Sequence, residues 1–284
     1  MKELIELRVS EEHASLVFGP KEGKLLGSGL TRKVVIRSDD PRIPTIKAIH
    51  EELRKQRSSL FGGAGIMRKY SDAEFDSAEI VSMMVCPLFE PAGEDCGTIY
   101  DETSACSECG TGAQQISELF LDLRTIPRSK DCAVSIAAVE RVVSEHFVDL
   151  ARQNGISGVE LPEVHPRVGL KSRKAAPKGK KWFQLLVTAA PADVISPTRF
   201  GRIPFWEMGP KCSKGHYTAR WPLSELTIAR GSWDGSDVFQ SKQLFGVRGG
   251  LLRPFPALLA TQRVYKLLKQ SRLRGFRFEV AHFA

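Results

Sequence analysis

Hydrophobic and polar positions in the first 85 residues follow the patterns of a small α/β unit. ELIELRV (3–9) and RKVVIR (32–37) have the composition of strands, and PRIPTIKAIHEELRKQ (41–56) has apolar residues at helical spacing. Ser71, just before AEFDSAEIVSMM (73–84), and Glu74, its second residue, form the sequence signature of a capping box. These patterns predict an independent α/β unit at the N-terminus.

The remainder of the chain contains a pattern that occurs twice. ISELFLDLR (116–124) is similar to LSELTIAR (223–230), and the segments at 143–161 and 260–278 keep one constant register. Asp131 lies between the two segments of the first copy, and Asp237 lies between the two segments of the second. Similarity in a fixed order is the mark of a repeat, so we expect 110–165 and 217–284 to be related by duplication.

Each copy has the features of one helix-turn-strand unit. Ser144 and Thr261 are good helix N-caps, and apolar residues three positions apart give a stripe that faces the core. Gly158 and Gly275 allow a tight turn into a strand. The predicted fold class is therefore α+β, with an N-terminal α/β unit and two related helix-turn-strand α/β modules. The predicted domains are 1–85, 86–165 and 166–284.

Three of the six cysteines lie in GEDCGTIYDETSACSECG, residues 93–110. The segment ends in a C-x-x-C-G, which adds a zinc-ribbon-like knuckle to the predicted fold, and Gly93 stands where the partner cysteine of a second knuckle would be. No apolar run approaches the length of a membrane helix, and the start of the chain lacks the apolar core of a signal peptide. We therefore expect a cytoplasmic protein without a membrane partner, in which clustered cysteines bind metal as thiolates.

A structural Zn²⁺ needs four ligands, of which the sequence nominates Cys96, Cys106 and Cys109. Cys86 is the first choice for the fourth. The repeat register sets Cys109 opposite His216 and places CSKGH where the first copy has CSECG, so the second copy holds a degenerate or complementary half-site. Alternative metal ligands are therefore Cys212 and His216. The remaining interpretation is that Cys86 is a buried apolar residue and the knuckle has lost its metal.

Charge is distributed unequally along the chain. Residues 166–284 contain 22 Lys and Arg against six Asp and Glu, a net charge of +16, and the preceding residues contain 19 against 27, a net of −8. The asymmetry indicates either an acidic partner for the C-terminal part or docking of the two parts on one another. Predicted partner-binding residues in this basic, tryptophan-bearing part are Lys178, Lys180, Lys181, Arg199, Arg202 and Trp206.

No catalytic motif stands out in the sequence. H-E-x-x-H, the deaminase H-x-E…C-x-x-C, G-x-S-x-G and the Walker loop are all absent. The six histidines have no partner carboxylate at useful spacing. We therefore expect a protein that is not an enzyme.

The knuckle, its altered second copy, WDGSDVF and the ending GFRFEVAH resemble the double-CXXCG proteins of myxobacteria. The resemblance spans residues 86–284. It implies an immunity protein of a polymorphic toxin system, which binds a cognate bacterial toxin and neutralises it. The alternative is a zinc-ribbon nucleic-acid-binding protein, whose Lys and Arg side chains contact phosphates. The two hypotheses differ in salt response, because phosphate binding weakens steeply with salt.

Overall fold

A computed structural model describes residues 1–167, 180–202, 205–207, 211–216, 221–246 and 248–284. The fold is mixed and sheet-rich, with 37% strand and 18% helix, in agreement with the predicted α+β class. The helices are α1 (Glu11–Ala14), α2 (Ile43–Lys55), α3 (Asp72–Ser77), α4 (Glu145–Gln153) and α5 (Gln262–Gln270). None of the helices in the described ranges is both long and apolar enough to span a bilayer.

Thirteen of the strands precede the first break in the described ranges. They are β1 (Lys2–Ser10), β2 (Lys24–Leu26), β3 (Thr31–Arg37), β4 (Phe61–Lys69), β5 (Ile80–Val85), β6 (Leu88–Phe89), β7 (Tyr100–Asp101), β8 (Gln114–Gln115), β9 (Phe120–Leu121), β10 (Cys132–Ser135), β11 (Arg141–Ser144), β12 (Val159–Glu160) and β13 (His165–Pro166). The others are β14 (Trp182–Gln184), β15 (Leu186–Val187), β16 (Phe200–Arg202), β17 (Trp206–Glu207), β18 (Trp221–Pro222), β19 (Leu226–Ile228), β20 (Val238–Phe245), β21 (Phe255–Thr261) and β22 (Phe276–Phe283).

The N-terminal residues form an antiparallel sheet with the order β2-β3-β1-β4. Leu7 and Val34 on this sheet pack with Ile46 of α2, and all three side chains are almost completely buried. The strands predicted over 3–9 and 32–37 and the helix predicted over 41–56 are confirmed. The capping box is also present, because Ser71 and Glu74 make both of its reciprocal hydrogen bonds.

Two larger sheets contain the rest of the core. The five-stranded sheet has the order β19-β22-β5-β21-β20, and the four-stranded sheet has the order β14-β11-β10-β6. β5 lies within the predicted unit 1–85 but pairs with β21 and β22. β14 lies within the predicted module 166–284 but pairs with β11 of the preceding module. Each of the two sheets therefore contains a strand from beyond a sequence boundary that we predicted.

Arg68 fastens the N-terminal sheet to the five-stranded sheet. Its guanidinium, of which only 3% is exposed, lies 2.9 Å from the carboxylates of Glu3 and Glu279 and donates to the Leu223 carbonyl. A buried cation needs such partners, because an unpaired buried charge is costly. The side chain therefore connects β4 to β22.

The same pair of contacts is found at the starts of α4 and α5, which lie in the two similar segments. The Ser144 N–H donates to the Asp131 carbonyl at 2.8 Å, and the Ser144 hydroxyl donates to the Asp131 carboxylate at 3.1 Å. Thr261 makes the same two contacts with Asp237, at 2.9 and 3.2 Å. Both hydroxyl residues stand at the predicted N-cap positions, but neither side chain caps its helix. The reason is that each hydroxyl is engaged by the aspartate of the adjacent strand.

Each of these aspartates also binds the turn of the other segment. The Arg274 N–H donates to Asp131 at 2.9 Å, and the Ser157 N–H donates to Asp237 at 3.2 Å. Burial raises the pKa of both carboxyl groups, but these backbone hydrogen bonds and the neighbouring Lys180 or Arg263 outweigh it and lower the pKa. The ionised aspartates therefore connect the two segments to each other.

Asp131→Asn is expected to destabilise the protein by about 2 kcal/mol at pH 7, because hydrogen bonds to an ionised group are lost. A carboxyl group with a lowered folded-state pKa stabilises the fold above its unfolded pKa of about 3.9, and this stabilisation is lost as the pH falls through the folded value. The difference in unfolding free energy between Asp131→Asn and wild type, measured with urea, should therefore be smaller at pH 3 than at pH 7. The exposed Asp149→Asn is the control. An equal cost at both pH values would contradict the interpretation.

Candidate metal centre

The first knuckle lies between the paired strands β7 and β8. The Cys106 N–H donates to the Thr111 carbonyl at 2.8 Å, and the Gly110 N–H donates back to the Cys106 carbonyl at 2.8 Å. The Cys109 Sγ lies 3.2 Å from the Thr111 hydroxyl. These bonds form a tight turn that holds both thiols on the same side of the hairpin.

The second knuckle lies between β17 and β18. The Cys212 N–H donates to the His216 carbonyl at 2.9 Å, and the Gly215 N–H donates to the Cys212 carbonyl at 2.9 Å. The flanking strands β17 and β18 each pair antiparallel with β16, whereas β7 and β8, which flank the first knuckle, pair with each other. The segment CSKGH therefore forms a turn that presents its cysteine and histidine together.

The two knuckles meet and bring four ligand atoms together. Cys106, Cys109, Cys212 and His216 each offer one atom, and all four atoms lie within 4.8 Å of one another. The His216 Nδ1 is 3.5 Å from the Cys212 Sγ and 3.7 Å from the Cys109 Sγ. Ligand atoms around a tetrahedral zinc lie roughly 3.3–3.8 Å apart, given metal–ligand bonds of about 2.0–2.3 Å. This group could hold a metal ion.

Backbone hydrogen bonds prepare one of the thiols for metal binding. The N–H groups of Cys109 and Glu108 lower the pKa of Cys106 to about 6, so its thiolate predominates at neutral pH. Burial raises the pKa of Cys109. Burial also raises the pKa of Cys212, but hydrogen bonds from His216 outweigh this effect and lower the pKa. Thiolates are the form of cysteine that binds metal.

The structure brings together only two of the four ligands that we ranked first. Cys106 and Cys109 are joined by the alternative pair Cys212 and His216, in place of Cys86 and Cys96. Cys86 is exposed directly after β5, where its N–H donates to the Gly275 carbonyl. The expectation of a complementary half-site in the second copy agrees with this geometry, because the two half-sites supply two ligands each.

Cys96 is held away from the knuckle by the packing around Gly93. Cys96 is 1% exposed and ends a short 3₁₀ turn whose first N–H, that of Gly93, donates to the Glu140 carboxylate at 2.7 Å. A Cβ at Gly93 would lie 2.6 Å from the Thr98 hydroxyl and 2.7 Å from a Glu140 oxygen. The buried Glu140 carboxylate accepts from the Gly93 N–H and leaves no room for a side chain there. A cysteine at position 93, which a second C-x-x-C would need, is therefore excluded.

Charged side chains fix the loop that covers the first knuckle. The Arg248 N–H donates to the Cys109 carbonyl at 3.2 Å, and the Arg248 guanidinium pairs with Glu102. Arg253 pairs with both Glu102 and Glu94, and its guanidinium lies 3.9 Å from the centre of the Tyr100 ring. Our sequence reasoning missed both arginines, because no local pattern marks a contact between residues so distant in the chain.

The second knuckle also contacts the first through its own side chains. Ser213 donates to the Glu108 carboxylate, and the Lys214 Nζ lies 2.7 Å from the Ser107 hydroxyl. Lys211, just before this turn, and Lys214, in the middle of it, are exposed. The surface of the metal centre is therefore basic on the side of the second knuckle.

The predicted partner-binding residues lie in different surroundings. Lys180 pairs with Asp131 at 3.0 Å, Lys181 lies 3.9 Å from Glu163, and Arg199 pairs with Glu207 at 2.9 Å. Lys178 and the side chain of Arg202 lie outside the described part of the chain.

Trp206 is half-buried against the N-terminal core, and its role as an anchor for a partner stays a prediction. Its indole N–H donates to Glu51 at 2.9 Å, and its ring centre lies 5.3 Å from that of His50. Phe205 beside it belongs to the N-terminal core. These contacts join the segment around β17 to the N-terminal sheet.

Many C-terminal cations pair with acidic residues of the first 165. Within the described ranges these cations are Lys180, Lys181, Arg230, Arg248, Arg253 and Lys269. Of the two explanations for the charge asymmetry, the structure therefore shows docking of the two parts on one another for these side chains. The exposed Arg199, Lys211 and Lys214 lie close to the metal centre in sequence.

The pair of knuckles is one of the features that suggested a resemblance to double-CXXCG proteins, and that resemblance stays a prediction. Each knuckle here contributes half of one ligand set. No protein-family model matches this chain, and no curated protein matches it.

Proposed function

We propose that the four ligands bind one structural Zn²⁺. Three thiolates and one imidazole are a donor set that zinc prefers, and four protein ligands complete its tetrahedral coordination. A catalytic zinc keeps one position for water or substrate, which this closed set does not provide. Cys109 and His216 are 107 positions apart, so the ion connects distant segments. The metal centre then acts as a cross-link between the two knuckles.

We further infer that the two similar segments arose by duplication. The aspartate–hydroxyl contacts before α4 and α5 support this, as do the parallel pairings of β13 with β9 and of β22 with β19. In the first pair His165 lies 3.3 Å from Glu118, and in the second His282 lies 2.9 Å from Glu225. The metal then lies where the two copies meet.

The function that this geometry supports best is that of a non-enzymatic binding protein of the immunity type. The observation that carries the proposal is the closed four-ligand set, which stabilises a surface without taking part in chemistry. The exposed Lys211 and Lys214 place positive charge beside this rigid centre and suit an acidic surface on a protein toxin. Charge at an interface rim accelerates association and sets specificity.

The experiment begins with capture of partners from the organism that encodes the chain, followed by identification and purification of the bound protein. Expression of that protein alone should arrest growth, and co-expression of this chain should restore it. Lys211→Glu with Lys214→Glu should slow association roughly tenfold at low salt, because steering depends on complementary charge. Stopped-flow or biolayer measurements give the rate.

Two controls separate charge from structural damage. Lys211→Arg with Lys214→Arg should bind as wild type does, and the exposed Lys266→Glu on α5 should leave the rate unchanged. Recovery of nucleic acid alone, with binding that weakens log-linearly with salt, would favour a nucleic-acid-binding protein instead. A captured protein whose toxicity is not relieved would contradict the immunity function.

A further inference from the structure

An apolar groove of about 470 Å³ lies against the five-stranded sheet, where β5, β21 and β22 approach β11. Met84, Leu88, Trp221, Phe245 and Phe255 line it. Leu88 and Trp221 are 61% and 40% exposed, which is unusual for large apolar side chains. None of the four metal ligands lines the groove. Its volume is in the range of small-ligand pockets, about 300–1,000 Å³.

Arg141 lines this groove without an acidic partner. Its one hydrogen bond in the described structure is to the Pro256 carbonyl, at 2.7 Å. No carboxylate in the described ranges lies within ion-pair distance of it, and every Asp and Glu of the chain falls within those ranges. Loss of water through burial lowers the pKa of Arg141 to about 10, so it remains a cation at neutral pH. The groove therefore contains an uncompensated positive charge.

The other charged residues of the groove do not neutralise Arg141. Glu279 is engaged by Arg68, at 2.9 Å. Arg277 is exposed, lies 3.2 Å from the Met84 Sδ, and has no ion-pair partner in the described part of the chain. The groove consequently has two cations available and a carboxylate that already has a partner.

The fold itself does not require an arginine at this position. The two similar segments place equivalent residues at equivalent positions in the two sheets. Val142 of β11 pairs with Gln184, and its counterpart Leu259 of β21 pairs with Ser82. The residue before each is therefore also equivalent, so Arg141 corresponds to Leu258. Leu258 is 2% exposed and belongs to the main core cluster. The first segment thus has a cation where its counterpart has an ordinary core residue. Partly burying an unpaired charge is costly, so a ligand that pairs with it gains affinity.

We propose that this groove binds a small amphiphilic carboxylate, with the carboxylate on Arg141 and an unbranched apolar tail on the Met84 and Phe255 side. An arginine can hold a carboxylate through two parallel N–H···O bonds. The apolar lining then takes the tail out of water. Arg277 lies at the exposed side of the groove and adds positive charge near the entrance. The site is separate from the metal centre and does not depend on the proposed immunity function.

Isothermal titration calorimetry with decanoate, kept below its micelle concentration, tests the proposal on the full-length protein. Decanoate should bind, and methyl decanoate should bind roughly tenfold or more weakly, because the ester cannot pair with the arginine. Arg141→Leu should weaken decanoate binding by a similar factor and leave the ester unaffected. Arg141→Lys should retain an intermediate affinity, since it keeps the charge without the planar fork.

The matched control is Arg152→Leu, which removes an exposed arginine at the end of α4. It should bind decanoate as wild type does. If Arg141→Leu does not fold, the comparison of decanoate with its methyl ester on the wild-type protein still decides the matter. Equal binding of acid and ester, absence of decanoate binding, or unchanged decanoate affinity in a folded Arg141→Leu variant would overturn the proposal.

Discussion

Cys109→Ser is expected to reduce the bound zinc from one ion per chain to nearly none. A serine hydroxyl is a poor zinc ligand, and Cys109 is the fully buried thiol that faces His216 from the first knuckle. Structural zinc contributes on the order of 10 kcal/mol to the folding of small zinc domains. In this larger chain we expect the Tm to fall by roughly 10 °C or more. Elemental analysis of protein purified without added metal, combined with calorimetry, measures both effects.

The matched controls for this variant are substitutions of the two cysteines that we predicted as ligands from the sequence and that the structure places outside the four-ligand group. Cys86→Ser and Cys96→Ser should each retain one zinc. Cys86→Ser should barely change the Tm because Cys86 is exposed, whereas Cys96→Ser buries a hydroxyl and should cost about 1 kcal/mol. Loss of zinc in either control would show that Cys86 or Cys96 is a ligand, as first expected from the sequence, and retention of zinc in Cys109→Ser would contradict both ligand sets.

Gly158→Ala should have the second-largest effect on stability. Gly158 has φ +85°, and a Cβ there would lie 2.0 Å from the backbone carbonyl oxygen of Val238. Positive φ and forced displacement of backbone each cost about 1–3 kcal/mol, so we expect a loss of roughly 3 kcal/mol or more. Urea unfolding of the metal-bound protein gives the free energy. The variant tests the close contact between the turn after α4 and β20.

Gly155→Ala is the control for backbone strain without the close contact. Gly155 also has positive φ, at +57°, but no atom lies within 4 Å of a Cβ built there. Its substitution should therefore cost only about 1 kcal/mol. The difference between the two variants isolates the contact with Val238. Similar costs for both would mean that the turn relaxes and that the two segments are not tightly packed at this point.

The sequence predicted the chemical type of the candidate site but identified its ligand residues only in part. The spacing of Cys106 and Cys109 predicted a metal knuckle, and the repeat register pointed to His216 and its neighbour Cys212 as a second half-site. Local spacing nevertheless favoured Cys96, because it lies near the knuckle in sequence. That preference ignored the buried Glu140, which uses the backbone at Gly93 and holds Cys96 in a separate turn.

The sequence by itself determined the N-terminal strands, helix and capping box, the order of the similar segments, and the residue types suited to a metal. These depend on periodicity and on contacts between near neighbours, which a linear pattern records directly. Only the tertiary structure decided which four ligands converge and that β5 and β14 pair across the predicted boundaries. It alone also decided that many C-terminal cations face carboxylates of the same chain and that Arg141 faces none. Such contacts join residues distant in sequence, and they depend on how whole sheets pack, which no local pattern specifies.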